Sequence, residues 1–190
     1  MTEPEVRTIT EPAVLAVLAN SVRARLMDVL RVDGPTTASR LAERIGVAVG
    51  SVSHHMKVLA GVGFVREVPE LAKDRRERWW TLVEEGWQWS RSELTDGPAK
   101  EAITVAAESL GLSRQTGLAR DWLDRADERP GWEQAAFATQ FWLRLSQDEL
   151  SELADEVNGL LRRWRRREVP DDGADRESVF VFARGFPAQP

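Results

Sequence analysis

The run VAVGSVSHHMKVLAGVGFVREV, residues 47 to 68, changes its period in mid-course. Val52, Met56 and Leu59 are spaced by four and three, the signature of one buried helix face, and the spacing predicts a helix from just after Val47 to about Ala60. Beyond Gly61-Val62-Gly63 the apolar residues alternate as they do on a strand. A helix that gives way to a ribbon across so short a turn leaves few architectures open, and what precedes it narrows them further.

Residues 12 to 18, PAVLAVL, suit a short helix with Pro12 in its first turn, where the missing N–H costs nothing. Asn20 or Ser21 can cap the next helix, which carries Val22, Leu26, Val29 and Leu30 and is stopped by Asp33-Gly34-Pro35. Thr36 or Thr37 can cap ASRLAERI, and Gly46 ends it. Downstream, FVREV and RWWTLV read as two strands joined by the charged connection PELAKDRRE. Short helices followed by a two-stranded ribbon define a winged helix-turn-helix, with residues 48 to 60 as the recognition helix.

If Val52, Met56 and Leu59 face inward, then Gly50, Ser51, Ser53, His54 and Lys57 occupy the N-terminal and outward side of that helix. Small residues permit close approach to a major groove, while hydroxyl, imidazole and ammonium groups can donate to base edges and phosphates. Thr37, at the start of the preceding helix, joins this set. Lys73, Arg75, Arg76 and Arg78 lie within six residues at the ribbon tip, where cations can follow the phosphate backbone. Adjacent helix positions point about 100° apart, so His54 and His55 are poorly placed to chelate one ion. His54 reads as a DNA contact, and His55, beside Met56, as a structural group.

Composition limits the alternatives. With no cysteine and only two histidines, disulfides, thiolate chemistry and conventional metal sites are not expected, and neither a cofactor nor an enzyme activity is called for. No apolar run approaches the roughly 18 residues of a membrane span, and MTEPEVRTITEP lacks the pattern of a signal peptide, so a cytoplasmic chain without membrane contact is expected. Net charge is −5, yet residues 1 to 95 hold 13 Lys and Arg against 13 Asp and Glu, leaving 13 against 18 for the rest. The first half is thus the better match for an anionic partner.

The division falls near residue 95. Residues 1–95 form the expected DNA-binding domain and 96–190 an α/β dimerisation or sensing region, giving a mainly α chain with small β ribbons. A long alanine-rich helix is expected from Asp96-Gly97-Pro98 to about Arg129, and AAFATQFWLRL at 135 to 145 and SVFVFARGF at 178 to 186 alternate as strands. Between them, Ser146 and Glu149 form a capping box for a helix with Leu150, Leu153, Val157, Leu160, Leu161 and Trp164 on one face. RRWRRR at 162 to 167 complements the negative end of that helix. Trp122, Trp132, Phe137, Phe141 and Trp142 either line a pocket for an apolar or aromatic effector or serve as core and dimer interface.

GVAVGSVSHHMKVLAGVGFVREV resembles the recognition-helix-to-wing segment of ArsR-type winged helix-turn-helix transcriptional regulators, and the helices from Pro12 to Val47 resemble those that precede it there. The resemblance covers roughly residues 10 to 85. It implies a homodimer on a palindromic operator in double-stranded DNA, usually a repressor released by a signal. The chain departs from the pattern in having no cysteines in SRLAERI, which argues against thiolate metal sensing, and Ala48 where a capping Ser is common. A protein-interaction module built on the same winged helix is the alternative.

Overall fold

The computed structural model describes residues 6–74, 77–84, 86–89, 93–97 and 99–189. A short strand, β1 (Val6–Thr8), precedes four helices: α1 (Pro12–Leu18), α2 (Ser21–Asp33), α3 (Ala38–Ile45) and α4 (Val49–Gly61). Their ends follow from local chemistry. The Asn20 side chain accepts the Arg23 amide at 3.0 Å to open α2, and the Thr37 hydroxyl accepts the Arg40 amide at 3.3 Å to open α3. Gly46 closes α3 at φ 70°, a left-handed value that suits glycine.

Leu26, Met27, Leu41, Val52, Met56 and Leu59 are fully buried where α2, α3 and α4 meet. β2 (Thr36–Thr37), β3 (Val65–Glu67) and β4 (Trp79–Leu82) form an antiparallel sheet in the order β2-β4-β3, with Glu67 opposite Trp80 and Thr37 opposite Trp79. Buried Trp80 and Phe64 bind this sheet to the helices. β5 (Gly86–Gln88) pairs in parallel with β1, and Arg7 fastens that edge by donating to the Val62 carbonyl at 2.7 Å and stacking over the Phe64 ring at 5.2 Å.

Three further helices follow: α5 (Lys100–Leu123), α6 (Pro130–Ala135) and α7 (Gln147–Arg166). Two compact units result, residues 1–119 and 120–190. The boundary expected at 95/96 moves along the chain because the first turns of α5 pack on the winged helix: Thr104 and Ala107 are buried, and Arg114 pairs with Asp28 of α2. None of the helices among the described residues is long and apolar enough to cross a membrane.

The strands expected at 135–145 and 178–186 do not form. Ala135 ends α6, the remaining residues of both segments carry no ladder, and the α/β reading of the second half is corrected to a helical one. Alternation shows which residues can share a sheet face, whereas a strand also requires a hydrogen-bonding edge beside it. The capping box is present as expected, with the Ser146 hydroxyl accepting the Glu149 amide at 3.2 Å and the Glu149 carboxylate accepting the Ser146 amide at 2.7 Å.

Candidate nucleic-acid interface

The proposed recognition helix is two-faced. Val52, Met56 and Leu59 are completely inaccessible, while Gly50, Ser51, His54 and Lys57 are exposed and Ser53 is half-buried. The cause is local, since three apolar anchors at helical spacing leave the small and donor-bearing positions outward. At the N-terminal end Ala48 sits in extended backbone (φ −66°, ψ 140°) with no side-chain cap, so the amides of Val49, Gly50 and Ser51 are left for an external acceptor. A group of oxygens such as a phosphate matches that end in charge and geometry.

The two histidines part company. His54 is exposed, whereas His55 is half-buried and its Nδ1 has no hydrogen-bond partner among the described residues. Burial, and then the nearby charges of Arg23 and His54, push the His55 imidazole below its ordinary pKa. Their rings meet edge to face with centroids 5.5 Å apart. Among the described residues no group of three or more His, Cys, Asp or Glu side chains is arranged to hold a metal ion.

Among its described residues the wing carries acidic side chains beside its basic ones. Beyond β3 the chain makes a 3-10 turn at Pro69–Leu71, and the Val68 amide donates to the Trp79 carbonyl at 2.9 Å to close the ribbon. Lys73 is exposed, but its backbone amide is held by the Glu77 carboxylate at 2.9 Å, and that bond is the main reason the carboxylate lies below its usual range. Arg78 is exposed and pairs across the ribbon with Glu67 at 3.3 Å. Arg75 and Arg76 lie outside the described residues.

Thr37 has a different place from the one expected. Its side chain is buried and spent on capping α3, so it positions that helix and is not a surface donor. Arg40, which sequence reasoning passed over, is exposed on α3 and stacks over the Trp79 ring at 5.4 Å, tying the helix-turn-helix to the wing strand. Its signal was legible only as a cation in the first turn of a helix, a position that a macrodipole disfavours.

The aromatic residues of the second unit are not gathered into an enclosed pocket. Trp122 and Trp132 are half-buried, but Phe137 and Phe141 are each 77% exposed and Trp142 is 62% exposed.

Fold and site together define a winged helix-turn-helix protein. A family model described as a helix-turn-helix domain matches residues 18–68, from the end of α1 through β3. Among solved structures, similar chains include HlyU from Vibrio cholerae (20% identity, 50% of this chain and 83% of that one, TM-score 0.31). They also include a MarR family regulator from Neisseria meningitidis (20% identity, 76% of this chain and 80% of that one, TM-score 0.37). A third is a mutant MarR from E. coli complexed with operator DNA (14% identity, 79% of this chain and 84% of that one, TM-score 0.34). A comparison with curated proteins finds no match.

Proposed function

We propose that the protein is a sequence-specific DNA-binding transcriptional regulator of the ArsR-like winged-helix kind, acting as a homodimer on a palindromic operator. The observation that carries this reading is the exposed N-terminal side of α4, where Gly50, Ser51, His54 and Lys57 surround uncapped amides while Val52, Met56 and Leu59 anchor the opposite side. A helix so built can enter a major groove closely and offer donors to bases and phosphates. Repression, with release by a small ligand or another signal that needs no thiolate, completes the proposal. Trp122, Trp132, Phe137, Phe141 and Trp142 are the candidate contacts for an apolar effector.

The test is titration of the purified chain into duplex DNA from its own promoter region and into a scrambled duplex, at two salt concentrations. Preference for the promoter duplex with affinity falling steeply as salt rises is the expected result. Binding to neither duplex would favour the second reading, a protein-interaction module, which draws support from the interleaved charge of the wing sequence, where Glu67, Glu70, Asp74 and Glu77 stand among Arg66, Lys73, Arg75, Arg76 and Arg78.

A further inference from the structure

Gly159, Arg162, Arg163 and Arg166 stand at i, i+3, i+4 and i+7 of α7, a spacing that puts them on one side of the helix, opposite the apolar positions Leu150, Val157, Leu161 and Trp164. With Arg167, the first residue beyond the helix, they line an open cleft of about 440 Å³. Arg162 Nη2 and Arg163 Nη1 lie 4.0 and 3.8 Å from the point where a Cβ on Gly159 would sit, so both side chains lean back along the helix. The Arg167 guanidinium lies over the Trp164 ring at 4.8 Å, which holds the far end of the cleft.

The helix dipole does not account for this arrangement. A cation compensates the dipole from within the last turn, beside the unpaired carbonyls of residues 163 to 166. Arg162 and Arg163 instead hold their guanidinium groups over Gly159, about 10 Å before the helix end at 1.5 Å per residue. Ion pairing does not account for it either. Among the described residues neither Arg162 nor Arg163 has a carboxylate partner, and the positions three and four away from them are Asn158, Gly159, Leu160, Arg165, Arg166 and Arg167. Like charges at that spacing oppose helix formation, and the acids on this side, Glu152, Asp155 and Glu156, stop about one turn before the glycine.

We infer that this side of α7 is a binding site for a free ligand carrying several phosphate groups. Guanidinium forks match phosphate oxygens two at a time, and arginine keeps its charge at any physiological pH. The lining is one glycine and four arginines, so affinity comes from charge and hydrogen bonds, unlike the apolar effector considered for Trp122 and Trp132. Any larger side chain at 159 would take the space between Arg162 and Arg163. The four cations form a point of charge rather than a track, which favours a compact oligophosphate over a nucleic-acid backbone. The site belongs to the second unit and does not rest on the DNA-binding reading.

Calorimetric titration of inorganic tripolyphosphate into the full-length chain at low salt tests the site. Saturable binding is expected, weakened at least about tenfold when Arg162→Gln and Arg163→Gln are combined. Arg162→Lys with Arg163→Lys keeps the charge without the forks, and its affinity should fall between the two. Gly159→Glu sets a carboxylate among the guanidinium groups and should abolish binding, whereas Arg144→Gln, which removes an exposed cation elsewhere in the unit, should leave it unchanged. No saturable binding, or equal losses in the Arg144→Gln chain and the double glutamine variant, overturns the inference. A duplex of scrambled sequence is titrated in parallel. If the double glutamine variant loses affinity for that duplex but not for tripolyphosphate, the arginines serve a nucleic-acid backbone and the free-ligand assignment falls. The tripolyphosphate titration contains no DNA, so its failure is distinct from failure of the promoter titration.

Discussion

Arg114 of α5 reaches back across 86 positions to the Asp28 carboxylate of α2, which Arg31 also contacts at 3.2 Å. Both partners of the long-range pair are less than a third exposed, so the pair is screened less than a surface bridge. Burial nevertheless pushes the Asp28 pKa up, outweighing the opposing pull of Arg114 and Arg31. Arg114→Ala should therefore cost about 1–2 kcal/mol at neutral pH, since it leaves a partly buried carboxylate with one cation fewer. The sign with pH is fixed. Once Asp28 is protonated the pair is lost in either protein, so the gap between wild type and variant should close on acidification, beginning above the ordinary carboxylate range. Urea midpoints of both proteins across acidic pH check this, and a gap that persists at pH 3 contradicts it.

How much of this was legible in sequence depends on how local each cause is. The ends of α2, α3 and α7 were readable because Asn20, Thr37, Gly46, Ser146 and Glu149 act within one turn of where they stand. The buried side of α4 was readable because Val52, Met56 and Leu59 repeat on one helix. β1 and β5 escaped notice because three residues hardly establish a period, and their pairing joins positions 80 apart, Val6 with Gly86. The basic count at the wing was visible, but the Arg78–Glu67 pair depends on ribbon register. Thr37 illustrates a further limit: capping and DNA contact both call for a hydroxyl at a helix start, and only burial separates them.

Side chains on α4 and on the wing should fail in different ways when removed. Ser53→Ala and His54→Ala are expected to relax preference at particular base pairs, each good base interaction being worth about 1–3 kcal/mol of discrimination. Lys57→Ala and Lys73→Ala should weaken binding to all sequences alike and reduce the slope of log affinity against log salt by about one for each phosphate left without its cation. Arg78→Ala should do less, because its guanidinium is shared with Glu67. Competition binding with single-base operator variants separates these cases, and an unchanged profile for both Ser53→Ala and His54→Ala would remove them from the interface.

His55 should make the winged helix sensitive to mild acid. Its imidazole is held below the ordinary value of 6.5 by burial first, then by Arg23 and His54, so the folded state binds its proton more weakly than the unfolded chain does. Stability from this group is complete above pH 6.5 and is lost as pH falls from there through the depressed folded value. His55→Gln removes the titration while keeping a polar side chain. Thermal melting between pH 7.5 and 5.5 should show a steeper fall for the native protein than for the variant, and parallel curves would dissociate His55 from any acid response.

The uncapped start of α4 offers the reverse experiment, a gain of stability. Ala48 already has the extended backbone of a cap residue, and the amides of Gly50 and Ser51 stand where a cap hydroxyl would accept. Ala48→Ser introduces that acceptor at an exposed position with no volume to accommodate in the core. It should stabilise the winged helix by about 1 kcal/mol, and a gain of that size raises the melting temperature of a unit this long by about 4 °C. The urea midpoint should rise with an unchanged slope, since nothing new is buried. If the midpoint does not move, those amides are already satisfied in solution, and the exposed donor set at the head of α4 is smaller than its geometry suggests.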